Sequence, residues 1–470
     1  MASMGIRRHP SSLAHDRLAL VLALCVPLTA IPLASNRATW WLLWTMLFAL
    51  LTIYHLLRGP GRERGYKPGF LRFRVGFILA LLLPVWALMQ TLPLGDFLPS
   101  GWLGARAGIC DLAGSRVSIQ PDVAMVGILR FMGYILLLAL VIEVSSRGER
   151  ALRLATIVFF GVVAQAIWAI VALNFLDDYS FAGAKTAYEG VATGSFVNRN
   201  SLATFLGFGA ILGIGILVER TNRFQIRASQ PPSLVAQTGF TGAFVVLGIA
   251  LQLAALLETQ SRLGLASTVI AMIATVLLAR RRAGTPIFRL LGESLVFLVI
   301  VGMGIVVLAG GDGVMSRFLF SSYEGQTRLA LYSQILGMIA QRPLTGFGMD
   351  SFGFAFEAFR APPLLGVGNF DLAHNSYLML WAEFGVVIGS IPPLLLAASA
   401  VVLWQRMKAT AGYPGLALAG IGVLVLGAVH SLGDFSLEIP ANVYLFVTII
   451  GLGLGLRRQR TPCQHTEVQL

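Results

Sequence analysis

The stretch DLAHNSYLMLWAEFG, Asp371 to Gly385, sets His374, Asn375 and Ser376 directly before an apolar run that continues to about Trp404. An imidazole at the mouth of a buried helix is a candidate general base, since its neutral form accepts a proton near neutral pH. The plainer use of such a histidine is to cap the helix at an interface, so its neighbours decide between the two. GSFVNRNSLA, Gly194 to Ala203, places Arg199 between Asn198 and Asn200 where another apolar run begins. LLETQSRLGLAS puts Arg262 in a tight turn between two runs, and Arg328 opens the amphipathic stretch RLALYSQILGMIAQ. HSLGDFSLEIP supplies His430 and Asp434 from a further turn. Guanidinium groups bind phosphate oxygens in a two-pronged fashion, so fixed arginines at one membrane face suit a diphosphate. Any single interfacial arginine also serves by snorkelling to lipid phosphate.

Taken together, these residues specify a reaction. Clustered guanidinium groups disfavour the charged imidazole and lower the expected pKa of His374. The neutral ring then takes the proton of a sugar hydroxyl, while Arg199 and Arg262 hold a diphosphate leaving group and stabilise its charge. Asn375 and Ser376 are placed to orient either substrate. A metal-assisted version needs converging carboxylates or histidines. The six histidines are scattered and Asp177–Asp178 is the one adjacent acidic pair on the same face, so transfer without metal or cofactor is expected.

The elements that must carry these residues follow from composition. The 470 residues are 56% hydrophobic and 12% charged, about half the charge of a soluble domain. Mean hydropathy is +0.77. The pI of about 10.3 does not require nucleic acid, because cytoplasmic loops of membrane proteins are enriched in Lys and Arg. Cys25, Cys110 and Cys463 offer no plausible disulfide pair. The first apolar run has a basic flank but no convincing cleavage site and reads as a retained helix.

Apolar runs near bilayer length predict an all-α polytopic membrane protein of about twelve spans: 18–34, 39–57, 75–92, 123–143, 152–174, 200–218, 238–258, 264–280, 289–310, 375–404, 414–432 and 439–456. Most of the 35 Lys and Arg fall in the amino terminus, alternate loops and the tail, which places both termini in the cytoplasm and His374 outside. The longest outer segment, 311–373, precedes the histidine run and is expected to be helical at Arg328 to Gln341 and again near Phe352 to Arg360. RPLTGFGMDSF, Arg342 to Phe352, reads as a turn between them. Arg130 lies inside a span, where charge implies a partner or a ligand. Glu383 falls roughly opposite His374 on the helix and about 13 Å deeper, so it is a poor partner for His374 and is expected to satisfy a neighbouring helix.

SFVNRNSLA, TQSRLGLAS, RPLTGFGMDSF, AHNSYLMLWAEFGVVIG and HSLGDFSLEIP, in that order over residues 190–450, resemble the bacterial O-antigen ligase and polysaccharide polymerase family. One departure is visible: the position three after Gly385 carries Ile388, where the family has Gly, Thr or Tyr, and Gly389 follows it. The resemblance implies a GT-C-like inner-membrane glycosyltransferase with a large periplasmic loop. It divides the chain into amino-terminal spans (1–190), a ligase-like region (191–456) and a cytoplasmic tail (457–470). It implies an undecaprenyl-diphosphate-linked glycan as donor, and lipid A–core or a growing lipopolysaccharide or exopolysaccharide chain as acceptor. Carried over by motif, Arg199 and Arg262 contact the diphosphate and His374 is the base. Asn198, Asn200, Arg328, Asn375, Ser376, His430 and Asp434 are further candidates. The competing class is a multispan transporter or flippase. Transporter sites sit near the midplane, whereas this polar set gathers at one boundary and no half-to-half repeat is visible.

Overall fold

The computed structural model describes residues 10–58, 67–94, 97, 99, 115–181, 183, 185, 187–227, 234–284, 311–409 and 413–456. Those residues form helices joined by turns: α1 (Pro10–Leu28), α2 (Ala38–Arg58), α3 (Arg74–Thr91), α4 (Pro121–Val144), α5 (Gly148–Phe175), α6 (Arg199–Arg227), α7 (Leu234–Glu258) and α8 (Arg262–Arg282). After them come α9 (Gly311–Gln341), α10 (Phe352–Glu357), α11 (Ser376–Gly389), α12 (Ile391–Lys408), α13 (Pro414–His430) and α14 (Pro440–Gly455). Large apolar side chains such as Leu50, Ile53, Val75, Ile78 and Leu394 stand exposed on α2, α3 and α12. Water would make such a surface aggregate, whereas lipid solvates it. The protein is an all-α, multi-pass membrane protein.

The number of spans corrects the expectation of about twelve. Among the described residues seven helices are long and apolar enough to cross a bilayer, or eight if one bent pair counts as a single span. The run at 18–34 fails because α1 ends at Leu28 and the chain turns through Leu33–Ser35, all three at positive φ. The run at 375–404 is two helices, α11 and α12, bent by 70°. The last two runs fold as α13 and α14, of 17 and 16 residues, short of the roughly 20 needed to span hydrocarbon. The run at 289–310 and the tail at 457–470 lie outside the described residues.

The bundle is centred on α6, whose apolar stretch is 83% buried. One continuous core joins α1, α4, α5, α6, α13 and α14. Lipid gives helices no hydrophobic reason to associate, so close backbone approach through small residues does the holding. Gly215 on α6 and Gly415 on α13 show how close: a Cβ on Gly215 would stand 2.5 Å from the Gly415 carbonyl oxygen.

A second, smaller core lies outside that bundle, where α9 and α10 pack Leu331, Ile335, Met338, Phe352 and Phe356 against Leu378 and Met379 of α11. The expected loop helix at 328–341 is the second half of the longer α9. RPLTGFGMDSF is more than a turn. Gly385, at φ 76°, breaks α11 and leaves backbone groups open. The motif supplies their partners: Phe347 and Gly348 N–H donate to the Ala382 and Glu383 carbonyls at 2.9 and 3.0 Å, and Val386 N–H donates to the Pro343 carbonyl at 2.7 Å. Gln90 of α3 adds its side-chain amide, donating to the Thr345 and Glu383 carbonyls at 2.7 and 2.8 Å. Irregular backbone within a membrane protein needs this kind of enclosure by protein. A Cβ on Gly385 would lie 2.2 Å from the Leu344 oxygen, so only glycine fits the break. Gly389, at the departure from the family pattern, packs on the Leu380 carbonyl, 2.4 Å from where its Cβ would be.

Candidate active site

Four helices, α6, α8, α11 and α14, begin at one end of the bundle, and α13 ends there. Their first turns each present unbonded N–H groups and the positive end of a helix dipole. Asn198 caps α6: its side-chain oxygen accepts from the N–H of Asn200 at 2.7 Å and of Ser201 at 3.3 Å. Ser261 caps α8 by accepting from Gly264 N–H at 3.2 Å. Asn375 caps α11 by accepting from Tyr377 and Leu378 N–H at 3.0 and 3.1 Å, and its amide donates to the Leu432 carbonyl at 3.0 Å. Each cap is worth about 1 kcal/mol. Asn198 and Asn375 therefore position the chain, and their side-chain oxygens already have N–H partners.

Asn200 joins the helix starts to the turn after α13. Its amide donates to Asp434 Oδ2 at 2.7 Å, and its oxygen accepts from the Ser261 hydroxyl at 2.8 Å. Asp434 is fully buried and also accepts from Ser436 at 2.8 Å. His430, the last residue of α13, is buried with Nδ1 3.4 Å from Thr204 of α6 and Nε2 without a protein partner.

The arginines surround this network. Arg199, the first residue of α6, lays its guanidinium 5.5 Å from the centre of the Tyr188 ring, and the Tyr188 hydroxyl accepts from Asn198 at 3.1 Å. The Nε of Arg199 is buried and has no hydrogen-bond partner in the protein. Arg262, the first residue of α8, is exposed beside Ser261. Arg328 reaches from α9 to the turn after α13, with Nη1 3.7 Å from where a Gly433 Cβ would stand.

His374 faces the same turn, with its ring edge-on to Phe435 at 4.8 Å. Its backbone sits at φ 50°, an uncommon place for a residue other than glycine, and Tyr332 of α9 donates to its carbonyl at 2.8 Å. The conformation costs on the order of 1–2 kcal/mol, which those contacts hold in place. Nδ1 of the ring is buried with no protein partner. The pKa of His374 is lowered, as expected, but the leading cause is burial. Asp434 pulls it back up and Arg328 lowers it further. The imidazole is neutral at ambient pH and able to accept a proton.

The structure thus gathers Arg199, Asn200, Arg328, His374, His430 and Asp434 with the caps Asn198 and Asn375 at one end, and Arg262 on its rim. Ser261, Tyr188 and Tyr332 were not singled out from sequence. Ser261 lies inside a motif that was, and its Ser-x-x-Gly start to an apolar run is a capping signal. Arg130 finds its partner in the loop motif: Asp350 lies 2.6 Å away, and Trp41 lies under the guanidinium at 5.5 Å. Glu383 is buried beneath that loop and accepts from Phe352 N–H at 3.4 Å. Nearby Glu438, in the turn Ser436–Glu438, is pushed up to about 7 by burial, against the opposing pull of Arg130.

Possible metal ligands lie elsewhere. Asp178 pairs with Lys185 and accepts from Gly190 N–H at 2.9 Å, so the acidic pair at 177–178 is built into its loop. Among the described residues, His15, His55 and Glu143 have ligand atoms within 4.8 Å of one another. They sit at the other end of the bundle: Gly69, which donates to Glu143, neighbours Arg72, whose guanidinium donates to the Gly455 carbonyl. Gly455 is about 22 Å along α14 from Pro440.

Residues 247–392 match the O-antigen ligase family model, from within α7 to the start of α12. The match covers under a third of the chain; Arg262, Arg328 and His374 fall inside it, while Arg199, His430 and Asp434 fall outside. No curated protein matches the sequence. Over those residues the chain is similar to O-antigen ligases.

Proposed function

We propose that this membrane glycosyltransferase moves a glycan from an undecaprenyl-diphosphate carrier to an acceptor sugar at the periplasmic face, without a metal ion. The observation that carries the reading is the convergence of capped helix starts and guanidinium groups on a neutral, half-buried histidine. Helix amino termini and arginines are two protein devices that bind phosphate. Arg199 and Arg262 hold the diphosphate from the starts of α6 and α8, and Arg328 adds charge from α9. His374 takes the proton of the acceptor hydroxyl as that oxygen attacks the anomeric carbon. The bond from that carbon to the diphosphate oxygen breaks, and the carrier leaves as undecaprenyl diphosphate. Guanidinium groups stabilise the charge that builds on the leaving oxygen. A single displacement of this kind inverts the anomeric centre. Asp434 keeps the histidine from falling too far in basicity and anchors Asn200.

The test is transfer in purified membranes from an undecaprenyl-diphosphate-linked glycan, with lipid A–core and the repeat-bearing carrier offered in turn as acceptors. Product on lipid A–core makes the protein a ligase, and longer carrier-linked chains make it a polymerase. The reading fails if neither product forms while the carrier-linked glycan is instead moved across the bilayer. Orientation is checked by fusing a reporter active only outside the cytoplasm. Activity near Gly325 and silence near Gln225 and after Arg460 are expected.

A further inference from the structure

Between α5 and α6 the chain builds an open cleft of 820 Å³ that the catalytic residues do not use. Its walls combine the aromatic rings of Tyr179 and Phe181 with Asp177, Lys185 and Glu189. Phe181 stacks on Trp168 of α5 with ring centres 5.2 Å apart and planes 18° from parallel. Tyr179 meets Phe181 edge-on at 5.7 Å and 84°. Both loop rings remain about half exposed, at 49% for Tyr179 and 45% for Phe181. The loop is held in shape by Asp178, which pairs with Lys185 and accepts from Gly190 N–H, while Lys185 also donates to the Val191 carbonyl at 3.0 Å. Phe181 therefore offers one face to solvent from a fixed platform.

Flat aromatic faces edged by carboxylates suit a pyranose ring. Its C–H face packs on the aromatic ring, and its hydroxyls donate to the carboxylates. A lipid surface is a poorer occupant, because Asp177 and Glu189 would be driven against anionic headgroups. The position favours a saccharide as well. Glu189 and Gly190 line the cleft and directly follow in the chain Tyr188, whose ring lies beneath Arg199. We propose that this cleft is a saccharide subsite, in which Phe181 and Tyr179 stack sugar rings and Asp177 and Glu189 bind their hydroxyls. The proposal rests on the diphosphate reading of Arg199: a glycan attached to a diphosphate held there lies next to the cleft. The saccharide is either the donor's or the acceptor's.

The experiment compares full-length protein in membranes with Phe181→Ala, Phe181→Leu and Arg199→Ala. It measures binding of bare undecaprenyl diphosphate, and KM and kcat for the glycan-bearing donor and the acceptor. Phe181→Ala is expected to raise one KM about tenfold, the scale of one lost stacking contact, with kcat within about twofold. Phe181→Leu should behave alike, because leucine keeps apolar area but presents no flat face. A raised donor KM assigns the cleft to the donor glycan, and a raised acceptor KM assigns it to the acceptor. Unchanged KM values overturn the proposal. Normal behaviour of Phe181→Leu, or an equal loss of bare-carrier binding in Phe181→Ala, overturns it in favour of a lipid anchor. Failure of the diphosphate reading is separately visible, as undiminished bare-carrier binding by Arg199→Ala.

Discussion

Each end of the helix bundle holds a pair of histidines, and the surroundings of the two pairs differ. At one end His374 and His430 lie among helix starts, with Nδ1 of the first and Nε2 of the second lacking any protein partner. Asp434 and Arg328 act on both rings from either side. At the other end His15 and His55 face each other with ring centres 5.3 Å apart, and His15 lies 3.3 Å from Glu143. Glu143 also accepts from Gly69 N–H. Buried polar atoms are normally satisfied, and those that are not ask for an explanation. In the proposed function, the substrate brings partners to the first pair. The second pair ties α1, α2 and α4 together through the His15–Glu143 contact and the His15–His55 ring contact. Ring nitrogens without a hydrogen-bond partner occur at both ends, so the ends differ in the groups that surround each pair.

The largest effect expected from this contrast is at His374. His374→Ala should bind donor lipid yet lose roughly 10²–10⁴ in turnover, the usual worth of a positioned general base. His374→Gln should not recover it, because an amide cannot take the proton. Donor binding and initial rates at matched expression decide the matter, and near-normal turnover in either variant would reduce the residue to a helix-end contact. Arg199→Ala comes next: binding and transfer should fall together, by about ten- to a hundredfold for a lost charged hydrogen-bonding group. Arg199→Lys should recover only part, since an ammonium does not reproduce the two-pronged contact.

The opposite end should respond in stability. His55→Ala is expected to lower the thermal unfolding temperature of detergent-purified protein, while the folded fraction keeps a kcat within about twofold of wild type. EDTA should leave transfer unchanged. Loss of transfer in EDTA, restored by zinc or manganese, would give His15, His55 and Glu143 a metal and erase the distinction between the ends. A finer test uses pH. Turnover should fall on the acid side as His374 becomes protonated, and burial places that limb below the ordinary histidine range. Arg328 disfavours the imidazolium, so Arg328→Gln should move the limb to higher pH. An unmoved limb would mean that the group titrating in the profile is not His374.

One end of this contrast could be read in part before the fold, and the grouping of His15, His55 and Glu143 could not. Hydropathy located the starts of α6, α8 and α11, so Arg199, Arg262 and His374 fell at chain positions that share an end of the bundle. The stretch 328–341 was legible as a helix from its apolar spacing. The count of spans was not, because hydropathy registers how long a run is apolar and not whether its helix is intact. Leu33–Ser35 and Gly385 break runs whose composition continues past them. Pairings across the chain were equally hidden. Asn200 with Asp434, and Arg130 with Asp350, are separated by more than two hundred residues, and no local pattern announces them. Nor could charge reasoning rank the causes acting on His374, since its burial depends on how α9 and the turn after α13 close around it.

The break at Gly385 bears on how the protein is made. A helix with open carbonyl and amide groups is poorly tolerated in hydrocarbon, so α11 is incomplete until residues 343–348 lie against it. Those residues precede Gly385 by about forty positions and leave the ribosome first. Synthesis in chain order therefore delivers the backbone partners to their face of the membrane before the helix that needs them arrives. A circular permutant that begins between the motif and α11 reverses this order, and would present the insertion machinery with a broken helix whose complement has yet to be translated.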